Sequence, residues 1–124
     1  MHIPFLAGID GTLLPRRILA GSELIIEAGA PTDTGWILET GRALEKGRKQ
    51  PYEPAMLLCL ADFLGRSHYS QDVRAKGPCQ VRAISREQAK ALSFRQNRLV
   101  WPLSVSLASE ICQRRELEKK EANQ

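Results

Sequence analysis

Residues 19–45, LAGSELIIEAGAPTDTGWILETGRALE, carry the clearest fold signal in this sequence of 124 residues. Three short runs, within residues 23–27, 36–39 and 42–45, are separated by turns that contain glycine, proline or aspartate. Runs of this length at such spacing are typical of strands in an all-β sandwich or barrel, not of βαβ units. The stretch therefore predicts the first part of a β domain.

The same turn-rich pattern continues to residue 85, with further short runs at 72–75 and 80–84. In the second run Val81 and Ala83 alternate with polar residues, so the polar side chains are expected on the opposite face. Ser85 then precedes Arg-Glu-Gln, which is typical of a helix N-cap and predicts a short helix over 86–93. A second helix is predicted from about residue 100, followed by a solvated polar tail after residue 112.

Length and composition indicate one small globular domain. The chain is 43% hydrophobic and 26% charged, which is close to the globular average. No apolar run approaches the roughly 18 residues of a membrane span, and the N-terminus does not look like a secretory signal. Three widely spaced cysteines argue against a disulfide framework and favour a reducing compartment. We therefore expect a cytoplasmic protein with no membrane association.

The formal net charge of +4 is concentrated in the middle of the chain. Residues 66–98 contain eight basic residues against Asp72 and Glu87. Such a segment could face an anion or an acidic partner, or could be a solvated arginine face. No nucleic-acid motif and no alternation of aromatic and basic residues accompanies it. The charge alone does not identify a partner.

Catalytic signatures are incomplete. Residues 7–15, AGIDGTLLP, resemble the first motif of haloacid-dehalogenase-like phosphatases, but Gly8 occupies the position of the nucleophilic aspartate and cannot form an aspartyl-phosphate. Asp10-Gly11 is better explained as a helix end or turn. The two histidines, His2 and His68, are too few for a three-ligand metal centre. We expect neither an enzyme nor a bound metal.

The opening stretch resembles the cyclic-nucleotide-binding domain of Crp/Fnr-type regulators, kinase regulatory subunits and gated channels. The matching elements are Gly21, the run 23–26, Glu27 with Gly29 and Asp33, the run 36–38, and Gly41 with Arg42. The segments 73–75 and 79–92 also resemble this family, so the likeness covers roughly residues 12–115. It implies a mainly β fold: a double-stranded β-helix, or jelly roll, with a short N-terminal helix and C-terminal α-helices. The implied division is a β-roll with flanking short helices over 1–97, and a C-terminal helix with a polar tail over 98–124.

In this family a phosphate cassette holds the cyclic nucleotide. A Gly-Glu pair precedes a short helix, and an Arg-Ser or Arg-Thr pair precedes the strand that here contains Val73. The glutamate accepts from the ribose 2′-hydroxyl, and the arginine forms a charge-assisted pair with the phosphate. Counting back from Val73 without gaps places Tyr69-Ser70 at the Arg-Ser positions and Cys59-Leu60 at Gly-Glu, so only Ser70 matches.

The cassette is therefore degenerate, and we expect no tightly bound cyclic nucleotide and no other cofactor. Arg66-Ser67 reproduces the missing dipeptide three residues early, but its use would require a bulge. By family position, the residues expected at a ligand pocket are Asp62, Arg66, Tyr69, Ser70 and Arg74.

The resemblance implies a regulatory or sensor module that binds a small molecule or a protein partner. A homodimer is expected through one face of the C-terminal helix, formed by Val100, Leu103, Leu107 and Ile111; docking of that helix on its own roll is the alternative. Direct DNA binding is not expected, because the sequence ends within this helix.

Three alternatives stay open at this point. One is a genuine receptor for cyclic AMP or cyclic GMP. Another is a ligand-free interaction subunit whose pocket is filled by Leu60, Phe63 and Tyr69. The third is a cupin-like metal enzyme, which shares the β-roll outline but is disfavoured by the two histidines.

Overall fold

The computed structural model describes residues 14–97 and 99–122. Within them, the description excludes the side chains of Arg95, Gln96, Val100, Lys120, Glu121 and Ala122. The short helix predicted near the N-terminus and the turn at Asp10-Gly11 lie outside the described residues.

Two antiparallel sheets of three strands form the roll. The strands are β1 (Arg16–Leu19), β2 (Leu24–Ile26), β3 (Thr34–Thr40), β4 (Ala43–Glu45), β5 (Val73–Ala75) and β6 (Cys79–Ser85). One sheet has the order β1-β6-β3 and the other β2-β5-β4. The expected mainly β jelly roll with C-terminal helices is confirmed, and five of these strands overlap the runs marked out by the turns.

Three helices complete the described chain: α1 (Leu60–Gly65), α2 (Arg86–Gln96) and α3 (Val100–Ala122). The predicted N-cap of α2 is confirmed. Ser85 Oγ accepts from the backbone N–H of Gln88 at 3.0 Å, and Gln88 Oε1 accepts from the N–H of Ser85 at 2.9 Å. This reciprocal capping box satisfies two N–H groups at the helix start. The polar tail after residue 112 continues α3, with exposed side chains as far as residue 119.

The core lies between the sheets and extends under α1. Leu38, Val73, Val81 and Ile84 are fully buried on the inner faces, and Phe63 of α1 is fully buried beside them. A Cβ atom on Gly35 of β3 would lie 2.9 Å from the Phe63 ring, so the glycine makes room for that ring. Burial of the Phe63 side chain therefore fixes α1 against β3.

Arg82 departs from the expected alternation. Arg82 was expected on the polar face of β6, but it is only 9% exposed. Its guanidinium forms an ion pair with Glu39 on β3 and donates to the carbonyl of Leu14 at 2.8 Å. Burial of this arginine is compatible with the fold because its charge is paired and its donors are used.

Helix α3 packs on α1 through small residues. A Cβ atom on Gly65 would lie 2.7 Å from the backbone of Ala108, so the two helix backbones approach closely there. Trp101, Ala108 and Cys112 are buried on the docked face of α3. Leu103, Leu107 and Ile111 are exposed on the helix, so this face does not contact the roll.

Candidate functional site

Helix α1 begins immediately after Cys59, which has a left-handed backbone conformation with φ of 51°. The backbone N–H of Cys59 donates to the Tyr52 hydroxyl at 3.2 Å, and the Cys59 thiol donates to Glu45 Oε1 at 3.1 Å. The Tyr52 hydroxyl donates to the same carboxylate oxygen at 2.9 Å. Burial raises the pKa of both the Cys59 thiol and the Tyr52 hydroxyl, so both groups stay protonated as donors at neutral pH.

Asp62 connects α1 to the loop before β5. Its Oδ2 accepts from the backbone N–H of Ser70 at 3.1 Å and from the Ser70 hydroxyl at 2.7 Å. Its Oδ1 lies 3.2 Å from Nε of Arg66, one turn later on the chain. The Cys112 thiol of α3 lies 3.6 Å from the same oxygen. A buried carboxylate with these contacts holds the loop, the helix end and α3 together.

Arg66 extends this cluster to α3. One of its terminal nitrogens donates to Glu116 Oε1 at 2.9 Å and to the carbonyl of Cys112 at 3.3 Å. Its own carbonyl accepts from the Thr32 hydroxyl at 2.6 Å. The Glu116 carboxylate raises the pKa of the Arg66 guanidinium. Arg66 therefore makes several contacts within the chain. A substitute cassette arginine would not need these contacts.

Tyr69 points its hydroxyl into the roll. The side chain is buried, and the hydroxyl donates to the carbonyl of Thr34 on β3 at 2.8 Å. Its backbone N–H and carbonyl pair with the carbonyl of Ala30 and the N–H of Gly29, respectively. Burial raises the pKa of this hydroxyl, so the side chain is an uncharged donor at neutral pH.

Arg74 lies apart from the other residues expected at the pocket. On β5 the neighbouring Val73 and Ala75 are buried and Arg74 is exposed, so its side chain leaves the opposite face of the sheet. Its guanidinium donates to the carbonyl of Ser22 at 3.1 Å. In the described part of the chain, it forms no hydrogen bond or ion pair with Asp62, Arg66 or Ser70.

The structure thus brings together three of the five residues expected at a ligand pocket: Asp62, Arg66 and Ser70. Tyr69 is their neighbour in sequence but its hydroxyl bonds to β3, and Arg74 faces the outer side of the other sheet. Leu60, at the family's glutamate position, is 40% exposed, whereas Phe63 and Tyr69 are buried. Of the three side chains expected to point inward in an interaction subunit, Phe63 and Tyr69 are therefore buried and Leu60 is exposed.

Sequence reasoning did not anticipate the contributions of α2 and α3 to this region. Arg86 donates to the carbonyls of Phe63 and Leu64, and its guanidinium lies 5.3 Å from the Trp101 ring centroid. Glu116 and Cys112 contact residues about fifty positions earlier, and no local pattern marks such pairs. The contact of Arg86 agrees with the general tendency of basic side chains at a helix C-terminus to donate to its last carbonyls.

Neither a metal site nor a membrane-spanning helix is found among the described residues. Over 14–97 and 99–122, no three His, Cys, Asp or Glu side chains group so that they could hold a metal ion. No helix in that same part of the chain is long and apolar enough to cross a membrane.

Similarity to solved structures was found, although no protein-family model and no curated protein matches the sequence. The cAMP-bound chain PfPKA-R is 22% identical over 78% of this chain, with a TM-score of 0.61. PKAR CBD2 bound to Sp-2Cl-cAMPS is 20% identical and aligns with 97% of this chain and 81% of its own length, with a TM-score of 0.60.

The regulatory domain of Toxoplasma gondii PKA with cAMP is 21% identical over 86% of this chain, with a TM-score of 0.62. The present chain spans 38% of PfPKA-R and 45% of the Toxoplasma gondii protein. The chain has the fold of a cyclic-nucleotide-binding domain.

Proposed function

We propose that this protein is a non-catalytic regulatory module with a closed phosphate cassette, which binds a small molecule other than a cyclic nucleotide, or a protein partner. The observation that carries the proposal is the pair of hydrogen bonds from Ser70 to the Asp62 carboxylate, at 3.1 and 2.7 Å. Ser70 stands at the one cassette position that matches the family. Its backbone and side-chain donors already serve an anion that belongs to the chain itself.

The missing counter-charge supports the same proposal. In the family that this chain resembles, an arginine that pairs with the cyclic phosphate stands at the position of Tyr69. In this chain the position holds an uncharged, buried tyrosine. A phosphate placed beside Ser70 would meet the Asp62 carboxylate at short range, and the nearby Arg66 is already paired with Asp62 and Glu116. Like charges at this distance repel more strongly in a partly buried site than in water. Tight binding of a cyclic phosphate is therefore not expected.

Titration calorimetry with cyclic AMP, cyclic GMP and cyclic di-GMP tests the proposal. We expect no saturable heat at ligand concentrations of up to about 1 mM, which corresponds to a binding free energy weaker than about 4 kcal/mol. The variants Ser70→Ala and Arg66→Ala serve as controls, since either should remove a genuine cassette contact. Micromolar binding by the wild type that both variants abolish would establish a cyclic-nucleotide receptor and overturn the proposal.

Partner binding is favoured over small-molecule binding by the buried side chains of Phe63 and Tyr69. The Phe63 ring packs against Gly35 and the Tyr69 hydroxyl bonds to Thr34, both on β3, so both side chains fill the interior of the roll. We also propose a reducing compartment such as the cytoplasm, because Cys59, Cys79 and Cys112 are free and buried.

A homodimer through α3 is the partner we propose. Leu103 and Leu107 are 59% and 61% exposed, and Ile111 lies on the same side of the helix. This side is turned away from the docked residues Ala108 and Cys112. An apolar helical stripe of this kind gains free energy when a second copy covers it. The side chain of Val100, also expected in this interface, is outside the described part of the structure.

Sedimentation velocity over a range of concentrations tests the dimer. The wild type is expected to show a concentration-dependent dimer, whereas Leu103→Glu/Leu107→Glu is expected to stay monomeric because each glutamate would be desolvated in the interface. Gln113→Glu/Lys119→Glu, at exposed polar positions of the same helix, is the control and should dimerise as the wild type does. A strictly monomeric wild type at high concentration contradicts the proposed interface.

A further inference from the structure

A cavity of about 470 Å³ lies on the outer face of the β2-β5-β4 sheet, away from the cassette. Its lining includes four basic residues, Lys46, Arg48, Arg74 and Lys76, and two acidic residues, Glu45 and Asp72. It shares no lining residue with the cluster of Asp62, Arg66 and Ser70. The volume falls in the range of small-molecule sites, roughly 300–1,000 Å³.

Strand register gathers the basic residues. Arg74 of β5 lies opposite Leu44 of β4 and Leu24 of β2, so it occupies the middle of the sheet. The backbone N–H of Lys46 donates to the carbonyl of Asp72, which places this lysine beside one end of β5. Lys76 follows the other end of β5, two residues beyond Arg74. The three cations therefore line one strand on its solvent side.

Two of the four basic residues of the lining, Arg74 and Arg48, are held in place by the protein itself. The Arg74 guanidinium donates to the carbonyl of Ser22 at 3.1 Å, and this bond leaves most of its N–H groups available. Arg48 stacks on the Tyr52 ring, with its guanidinium carbon 4.5 Å from the ring centroid. Such positioning reduces the side-chain entropy that an anion must remove on binding.

The two carboxylates of the lining are already engaged with neutral donors. Glu45 accepts from the Tyr52 hydroxyl and the Cys59 thiol, and Asp72 accepts from the backbone N–H of Ala28 at 2.8 Å. Over 14–97 and 99–122, neither Lys46 nor Lys76 forms an ion pair with an acidic residue. Hydrogen bonds from neutral donors leave both carboxylates charged, so the four basic and two acidic residues give the lining a net excess of two positive charges.

We propose that this cavity binds a small organic phosphate with two or more phosphate groups, of about the size of a nucleoside diphosphate. Arginine presents a planar fork that matches phosphate oxygens, and the two lysines add mobile point charges on either side of it. Leu44, opposite Arg74 on the same face of the sheet, provides an apolar surface for the organic part of such a molecule. The site is independent of the cassette, so either proposal can fail without the other.

Backbone amide NMR titrations with ADP and with inorganic pyrophosphate test this proposal. Both anions are expected to shift the amides of Lys46, Gly47 and Gly77 in a saturable way, while the amide of Ser70 stays unchanged. In Lys46→Ala/Lys76→Ala, binding of ADP should weaken about tenfold or more, because two charge-assisted contacts are lost. Dispersion of the amide spectrum reports whether this variant is folded.

The double variant Lys90→Ala/Lys119→Ala removes the same net charge from exposed positions on α2 and α3. It should bind ADP within about twofold of the wild type at physiological salt, where distant charges are screened. Equal weakening in both double variants would show a general electrostatic effect and overturn the proposal. The absence of saturable shifts in the wild type, or shifts confined to residues outside this cavity, would also overturn it.

Discussion

Replacement of Asp62 by alanine is expected to lower the free energy of unfolding by about 3 kcal/mol, the usual cost of breaking a buried ion pair on one side. The variant removes the acceptor for the Ser70 N–H and hydroxyl, and it takes one of two paired carboxylates from the Arg66 guanidinium, leaving Glu116. These groups lie between α1, the following loop and α3, where water replaces the lost contacts poorly. Urea denaturation followed by circular dichroism measures the change.

Asp33→Ala is the matched control, since Asp33 is exposed and none of the described contacts uses its carboxylate. It should change the free energy of unfolding by less than about 0.5 kcal/mol, as surface substitutions usually do. Asp62→Asn retains one oxygen acceptor and should therefore fall between wild type and Asp62→Ala. A loss below about 1 kcal/mol in Asp62→Ala would mean that the carboxylate does not hold the cassette closed.

Replacement of Arg86 by alanine is expected to cost about 2 kcal/mol of unfolding free energy, within the range for hydrogen bonds from a charged group. Its guanidinium donates to the carbonyls of Phe63 and Leu64 at the C-terminal end of α1. It also contacts the faces of the Phe63 and Trp101 rings, at 5.9 and 5.3 Å from the ring centroids. One side chain from the start of α2 thus stabilises α1 and contacts α3.

Thermal and urea unfolding of Arg86→Ala should be compared with Arg114→Ala, which removes an arginine from an exposed position on α3. The control is expected to unfold as the wild type does. Arg86→Lys keeps the charge but loses the two-pronged donor geometry, so it should recover only part of the lost stability. Equal free energies of unfolding for Arg86→Ala and Arg114→Ala would mean that α1 does not depend on the hydrogen bonds from Arg86 to its last carbonyls.

Most of the roll could be predicted because its strands are marked locally. Turn residues bracket β2, β3 and β4, and Ser85 marks the start of α2. Strand β1 was not recognised because it begins with Arg16 and Arg17, and α1 was too short, at six residues, to show a helical period. Arg82 is buried because a partner on another strand pairs with it, and alternation along β6 carries no information about that partner.

The candidate site was predictable only in part. Asp62, Arg66 and Ser70 were expected near a ligand pocket and lie together in the structure, but the gapless count matched only Ser70 to the family and gave no reason to connect the three to Glu116 or Cys112. Those contacts depend on how α3 docks, which follows from small residues such as Gly65 and Ala108 at its contact with α1. The outward position of Arg74 was accessible from the sequence, because buried Val73 and Ala75 on either side place it on the other face of a strand.

The central claim is that the anion position of the cassette is closed by Asp62. It is tested most directly by the amide NMR signal of Ser70 in the presence of excess cyclic AMP. An unchanged chemical shift is expected, because the Ser70 N–H remains hydrogen-bonded to Asp62. A saturable shift of this signal, accompanied by shifts at the start of α1, would show that a cyclic phosphate displaces the carboxylate and that Asp62 does not close the cassette.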